Sequence, residues 1–302
     1  MIQSPLNYIG GKYKLLPQLL PLFPKDINIF VDLFCGGGNV GVNVECNELW
    51  LNDSNADVIK LLELFSNTEG TCLIQKVESI INKYGLSNAS KHGYDFYGSN
   101  SSIGLAAYNS DAYKRLRNDV NHCSPNSANY YTLLYVLIIY AFNNQIRFNS
   151  KHEYNLPIGK RDFNKKLQAK VINFCDKIQS AKKKLSNLDF RRVDTSNLSE
   201  DDFVYADPPY LITCATYNES NGWTEQDELD LLSFLDNLQQ QKVRFALSNV
   251  LENKGKTNYI LQNWLSVRSE YKCIHLNYDY SNSNYHSKNK GYSSDEVLII
   301  NY

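Results

Sequence analysis

The chain lacks the residue groupings that mark disulfide-built, zinc-binding and secreted proteins. Its seven cysteines stand at 35, 46, 72, 123, 175, 214 and 273, odd in number and never as C-x-x-C, so reduced thiols are expected rather than a disulfide framework. The five histidines form no H-x-x-x-H pair, and the P-C-x-x-C of zinc-dependent base deaminases is missing, so no metal site is expected. There is no G-x-S-x-G elbow for a serine nucleophile. Excess charge is missing too: 31 basic against 32 acidic residues leave a net charge of -1, so any surface for a polyanion must be local. The longest apolar run, Leu133 to Phe142, is about half of the ~20 residues a bilayer span needs. Met1 to Gly11 has no basic start followed by an apolar core. These absences predict a soluble cytoplasmic protein.

What is present is an ordinary globular composition, 43% hydrophobic and 21% charged over 302 residues, enough for one large α/β domain or two smaller ones. Near the start, Asn7-Tyr8-Ile9-Gly10-Gly11-Lys12 places a glycine pair beside a lysine, but the earlier glycine and the serine or threonine of a P-loop are missing. A short apolar strand, 29–34, then runs into Cys35-Gly36-Gly37-Gly38-Asn39-Val40-Gly41. Gly36, Gly38 and Gly41 satisfy G-x-G-x-x-G at a strand-to-helix turn, and Asp53 follows a second strand at 49–52. Strand, glycine turn, helix, strand and acid describe half of a nucleotide-binding sheet, with the acid placed for ribose hydroxyls. The motif alone does not separate NAD from another adenosine-bearing cofactor.

From Asp57 the periodicity is helical, over 58–65, 73–84, 112–120 and 130–142, with no strand-like run between. This breaks the β-α-β alternation and predicts an inserted helical subdomain. It closes on Phe142 to Arg161, where apolar and polar residues alternate around Ser150-Lys151-His152-Glu153, the pattern of a two-stranded hairpin over 143–160. Such a ribbon can enter a major groove, where arginine reads guanine and asparagine or glutamine reads adenine. A helix over 167–185 is predicted to end on Lys182-Lys183-Lys184, complementing its dipole. Strands are then expected at 190–194, 203–206, 243–248, 273–276 and 296–300, seven with the two at the N-terminus, and the stretch 281–294 is of low complexity.

The strand at 203–206 delivers Asp207-Pro208-Pro209-Tyr210. Proline removes a backbone donor, fixes its own φ and keeps the preceding residue extended. One carboxylate and a row of main-chain acceptors therefore point outward beside an aromatic ring, which suits a flat substrate bearing an N–H group.

Taken with Gly10-Gly11-Lys12, Phe34 and the triple glycine, Asn52-Asp53, Arg147-Phe148-Asn149 through Asn155-Leu156-Pro157, Leu247-Ser248-Asn249 and Ile300-Asn301-Tyr302, this motif makes the chain resemble the Dam-type, α-ordered D12-class DNA adenine-N6 methyltransferases over nearly its whole length. The resemblance implies a seven-stranded Rossmann-like methyltransferase sheet with an inserted helical target-recognition subdomain carrying the hairpin. It places the catalytic domain at 1–56 and 162–302 and the target-recognition domain at 57–161. It implies S-adenosyl-L-methionine as cofactor, with Tyr8, Gly10 and Lys12 lining its pocket and Phe34, Gly36 and Gly38 at its close approach. Asp53 would sit on the ribose, Asp194 on the adenine amino group and Asp32 near the methionine end, with Asp207 also in the cofactor-binding set. Asp207, Pro208, Pro209 and Tyr210 would act on an adenine flipped out of double-stranded DNA. Arg147 would contact guanine, Phe142 would wedge into the stack, Asn149 and Lys151 would hold phosphates, and Asn7, Asn143, Gln145, Pro157 and Arg161 would complete the DNA-facing set. Members that modify GATC usually carry lysine, leucine and tyrosine where Asn7, Gln145 and Arg161 stand, so GATC is one candidate site. A monomer with a cognate restriction endonuclease, in a bacterial cytosol or nucleoid or encoded by a phage, is the expected setting. The alternatives are an RNA adenine methyltransferase of the same fold and an NAD-dependent oxidoreductase.

Overall fold

The computed structural model describes residues 1–8, 10–213, 222–277 and 294–302. Cys214 and the low-complexity stretch up to residue 293 lie outside the described residues. In chain order the elements are α1 (Leu16–Leu19), β1 (Ile29–Asp32), β2 (Glu48–Asn52), α2 (Ala56–Asn67), α3 (Gly70–Tyr84), α4 (Ala89–His92), α5 (Ala106–His122), α6 (Tyr130–Tyr140), α7 (Lys165–Ser180), β3 (Lys183–Ser186), β4 (Phe203–Ala206), α8 (Glu225–Gln240), β5 (Arg244–Asn253), β6 (Lys256–Thr257), α9 (Tyr259–Ser266), β7 (Lys272–Leu276) and β8 (Ser294–Ile300). They fall into two compact units, one of residues 1–11, 36–43 and 55–181, the other of 12–35, 44–54 and 182–302.

The second unit is a mostly parallel sheet in the order β3-β2-β1-β4-β5-β8-β7, with the short β6 paired to β5. β1 is flanked by parallel β2 and β4, and β4 by parallel β5, whereas β8 runs antiparallel between β5 and β7. Every residue of β4 is buried. Phe203 and Tyr205 meet Phe23 on one face, while Val204 joins Leu231, Leu235 and Phe245 in the core on the other. Full burial of each such side chain is worth about 1.5–3 kcal/mol, so the strand that carries Asp207 starts from a rigid base. α8 begins with a capping box, Thr224 and Asp227 each satisfying the other's backbone N–H.

Two sequence expectations fail here. The lysines at 182–184 do not end a helix: α7 stops at Ser180, and Lys183–Ser186 form edge strand β3 beside β2. Lysine on an edge strand discourages further strand pairing. Lys184 Nζ also lies 3.4 Å from the Trp50 ring centroid, and Lys182 pairs with Glu48 at 2.6 Å. The strand expected at 190–194 is instead a single 3-10 turn, Phe190–Arg192, capped by Asp189. The strand count along the sheet path is kept only because β3 takes that place.

In the first unit α6 is apolar all round and buried, as such a helix must be. α2, α3 and α5 pack around it. The unit runs through α7 to Ala181, where Phe174 meets Phe65 edge-on at 5.7 Å. The 143–160 segment turns back on itself, but it is no regular two-stranded ladder. Its pairing consists of two isolated antiparallel bridges, Ala141 with Ile158 and Phe148 with Tyr154. A 3-10 turn at Phe142–Asn144, with Asn143 and Asn144 both at positive φ, interrupts the strand pattern. At the base the two arms lie so close that a Cβ on Gly159 would collide with the Ala141 carbonyl.

Candidate active site

β1, β2 and β3 progress outward from the centre in one direction and β4 and β5 in the other, so the sheet's switch point lies between β1 and β4. Open α/β sheets bind ligands at the carboxyl ends of the strands beside such a point. Asp32 ends β1 and Asp207 immediately follows β4, so these two carboxylates flank it. Pro208 is buried, and Pro209 is exposed.

Around Asp207 the sheet unit gathers a charged cluster. Lys12 Nζ lies 3.2 Å from Asp207 Oδ1 and 3.1 Å from Glu296 Oε1, with Lys12 6%, Glu296 1% and Asp207 17% exposed. The Tyr210 hydroxyl donates to Asp207 Oδ1 at 2.9 Å and to Glu296 Oε1 at 3.2 Å. Lys12 Nζ also stands 4.7 Å from the centroid of the Tyr210 ring. Removing one member of a buried ion pair typically costs about 3–5 kcal/mol, because the partner is left uncompensated. Burial pulls the Lys12 pKa down, but the charges of Asp207 and Glu296 outweigh it and hold the ammonium above the usual lysine value. Burial pushes the Asp207 carboxyl above the ordinary aspartate value; Lys12 and the Tyr210 hydroxyl pull it down, and Glu296 pushes it up further. Among the described residues both of these partners sit on Oδ1, and Oδ2 takes no hydrogen bond.

Glu296 was not legible as a site residue. It opens the apolar run of β8, and only the antiparallel course of that strand carries its N-terminal end to the carboxyl end of β5, where Glu296 faces Val250.

Asp32 and Asp53 are both buried. The Asp53 N–H donates to the Ser186 carbonyl at 3.2 Å, which ties the residue after β2 to the end of β3. Between the two acids in charge terms lies Cys35, whose thiol is pushed well up by burial and then by the charges of Asp53 and Asp32, so it is held protonated and is no nucleophile. Phe34 packs on Phe190 and edge-on to Trp223, at centroid separations of 5.5 and 5.8 Å. Asp194 is exposed and accepts from the Ser196 N–H at 3.0 Å, and its hydrogen bonds to Ser196 hold its carboxyl below the usual value.

In the helical unit, Gly36 has φ of 48°, and a Cβ there would come within 2.7 Å of Cδ1 of Tyr8, so the tyrosine ring fills the space a side chain would need. Gly38 lies against Phe174 and Leu62, and Gly10 is exposed. Asn7 donates to the Asn143 carbonyl. Phe142 is 50% exposed, and Lys151, Pro157 and Arg161 are exposed. Arg147 Nε donates to Asn155 Oδ1 at 2.9 Å, and the Gln145 carbonyl accepts from Tyr154 at 2.7 Å. The Asn149 side chain accepts from the N–H groups of Lys151 and Glu153 and donates to the Glu153 carboxylate, closing the tip of the segment.

Among the described residues no group of three or more His, Cys, Asp or Glu could hold a metal ion, and no helix is long and apolar enough to cross a membrane.

A mostly parallel sheet with a glycine turn after β1, an acid after β2 and Asp-Pro-Pro-Tyr after β4 fits the α/β methyltransferase fold. Residues 8–282 match the D12 class N6 adenine-specific DNA methyltransferases, and the chain belongs to that family. It is 41% identical to the modification methylase StsI of Streptococcus sanguinis and 38% identical to the type II methyltransferase M.FokI of Planomicrobium okeanokoites, each over 100% of this chain and 43% of the relative. It is 25% identical to the DNA adenine methylase of Salmonella typhi, over 81% of this chain and 79% of the relative. The chain thus spans less than half the length of the StsI and FokI proteins it matches.

Proposed function

We propose that the chain transfers a methyl group from S-adenosylmethionine to the N6 amino nitrogen of an adenine extruded from duplex DNA. The observation that carries this reading is the division of roles on Asp207. Oδ1 is held by Lys12 and Tyr210, while among the described residues Oδ2 takes no hydrogen bond and is assigned as the acceptor beside the switch point. An adenine amino nitrogen is a poor nucleophile because its lone pair is delocalised into the ring. With Oδ2 of Asp207 and the Pro208 carbonyl accepting its two N–H bonds, the nitrogen is drawn towards tetrahedral geometry and its lone pair is aimed. Alignment and electrostatics, rather than a strong base, then lower the barrier. Lys12 covers one face of the Tyr210 ring, so the base stacks on the other. Extrusion costs a few kcal/mol, which stacking and these hydrogen bonds offset.

When bound, S-adenosylmethionine supplies an electrophilic methyl group on a sulfonium. Tyr8, Gly10, Lys12, Asp32, Phe34, Gly36, Gly38, Asp53, Asp194 and Asp207 are assigned to hold it. The buried carboxylates Asp32 and Asp53 suit ribose hydroxyls and a cationic ligand, and the Tyr8 ring over Gly36 supports a close backbone approach. The helical unit is assigned to target recognition. There the exposed Phe142 suits a wedge, and Lys151 with Asn149, whose side chain also closes its turn, is assigned to phosphates. Asn7, Asn143, Gln145, Arg147, Pro157 and Arg161 remain candidates for reading the site. The names of the relatives, modification methylase and type II methyltransferase, support a restriction-modification setting, for which a monomer with a cognate restriction endonuclease is proposed.

The test is to express the gene in a host free of DNA adenine methylation and to sequence the DNA by a modification-sensitive method. N6-methyladenine in one defined motif, lost with Asp207→Ala, is expected. Its absence from every motif overturns the proposal.

A further inference from the structure

We propose that Glu296 is a positioning residue for methyl transfer: its carboxylate holds the Lys12 ammonium and the Tyr210 hydroxyl on the Oδ1 side of Asp207, so that Oδ2 is left to accept from the substrate amino group. The inference rests on the adenine-methyltransferase reading above and adds to it a residue outside the Asp-Pro-Pro-Tyr stretch.

Three observations carry it. First, the contacts are matched: Glu296 Oε1 lies 3.1 Å from Lys12 Nζ and 3.2 Å from the Tyr210 hydroxyl, the same two groups that meet Asp207 Oδ1 at 3.2 and 2.9 Å. One ammonium and one hydroxyl are thus shared between two carboxylates. Second, Glu296 is 1% exposed and is followed on β8 by four buried apolar residues, Val297, Leu298, Ile299 and Ile300. A carboxylate taken so completely out of water is costly unless it is paired, and an apolar residue would fill the place without that cost. Third, the electrostatics require a third charge. With Asp207 alone, Lys12 would form a closed neutral pair and could follow either carboxylate oxygen. A second anion at 3.1 Å fixes the ammonium between two anchors and restrains it from bridging to Oδ2.

The groups facing Asp207 are Lys12, Tyr210, Glu296 and Tyr205, with Asp32 near Tyr205 in charge terms. Glu296 raises the Asp207 carboxyl through its charge and Lys12 lowers it. The two substitutions therefore move the acid limb of the chemical step in opposite directions, the limb belonging to the coupled cluster rather than to one group.

The experiment compares wild type, Glu296→Gln, Glu296→Asp and Lys12→Met. It reads single-turnover methylation of adenine-unmethylated genomic DNA between pH 5 and 9, together with S-adenosylmethionine affinity by calorimetry. A wild-type chain that methylates nothing fails the underlying reading, not this one. With an active wild type, E296Q is expected to lose about 10- to 100-fold in rate, the scale of a misplaced reactive group. Its cofactor affinity should stay within threefold, and its acid limb should move to lower pH while that of K12M moves to higher pH. A rate within twofold of wild type, or a limb in E296Q that stays in place or rises, overturns the proposal. If E296Q does not fold, E296D decides. It keeps the charge but withdraws the oxygen by one methylene, so a partial rate loss with cofactor affinity retained supports positioning, and an unchanged rate overturns it.

Discussion

The Tyr210 hydroxyl donates to Oδ1 of Asp207 at 2.9 Å, so the carboxylate and the ring proposed to receive the base orient each other across two prolines. Tyr210→Phe removes this bond and leaves the stacking face. It should lower the single-turnover rate about tenfold, the value of one hydrogen bond to a charged group. Tyr210→Ala removes both and should lose at least about tenfold more, since stacking on an aromatic side chain is worth about 1–3 kcal/mol per base. Equal losses in the two variants would show that the ring contributes nothing by stacking.

Asp207 is held in place at a cost in stability. Burial leaves its folded-state carboxyl above the ordinary aspartate value of about 3.8. A raised carboxyl binds its proton more tightly in the folded than in the unfolded state. Its ionisation therefore penalises the fold, and the penalty is absent below the unfolded value and complete above the folded one. Asp207→Asn, inactive in transfer, removes this penalty but also removes one of the two carboxylates that pair Lys12, so the sign is read from the pH dependence: the melting temperature of wild type relative to Asp207→Asn should rise as pH falls through the folded-state value. A wild type that loses stability relative to Asp207→Asn on acidification contradicts the sign.

The end of β4 before Asp207 was legible because its constraint is local: two prolines cannot continue the strand's ladder whatever the rest of the chain does. The glycine turn at Gly36 was legible for the same reason, whereas its contact with the Tyr8 ring was not: the resemblance assigned both residues to the cofactor without joining them. β3 was not, because three lysines in a row match a helix C-terminus as well as they match a guarded edge strand, and only Trp50 and Glu48 across the sheet decide between them. The strand expected at 190–194 failed in turn: Phe190 is buried for packing against Phe34 and Trp223, not for pairing. Glu296 required the strand order. Its place beside Lys12 spans most of the chain's length and follows from β8 running antiparallel.

Gly36→Ala tests the glycine turn. Its φ of 48° disfavours a side chain, and the new Cβ would stand 2.7 Å from the Tyr8 ring. Strain at such a residue costs about 1–3 kcal/mol, and here it adds to displacement of a residue assigned to the cofactor. S-adenosylmethionine affinity measured by calorimetry should fall at least about tenfold, with the circular-dichroism spectrum unchanged. An affinity within twofold of wild type would remove Tyr8 and Gly36 from the cofactor site.

Glu228 tests how the sheet is locked to the helix that covers it. The side chain, on the first turn of α8, is fully buried, yet it accepts from Trp223 Nε1 at 2.7 Å, Asn249 Nδ2 at 3.0 Å and Asn258 Nδ2 at 2.8 Å. Three donors, one before α8, one on β5 and one capping α9, thus converge on one carboxylate, and its negative charge also suits the α8 N-terminus. Glu228→Ala strands all three donors in the core. Each buried unsatisfied group costs about 1–3 kcal/mol, so a total loss of about 3–5 kcal/mol is expected even after partial relaxation. Glu228→Gln keeps one acceptor oxygen while presenting an amide donor to donors, so it should fall between wild type and alanine. Urea denaturation followed by tryptophan fluorescence checks the order, because Trp223 and Trp264 both report on this region. If glutamine proved as stable as glutamate, the charge would contribute nothing, and the site would be held by hydrogen-bond geometry alone.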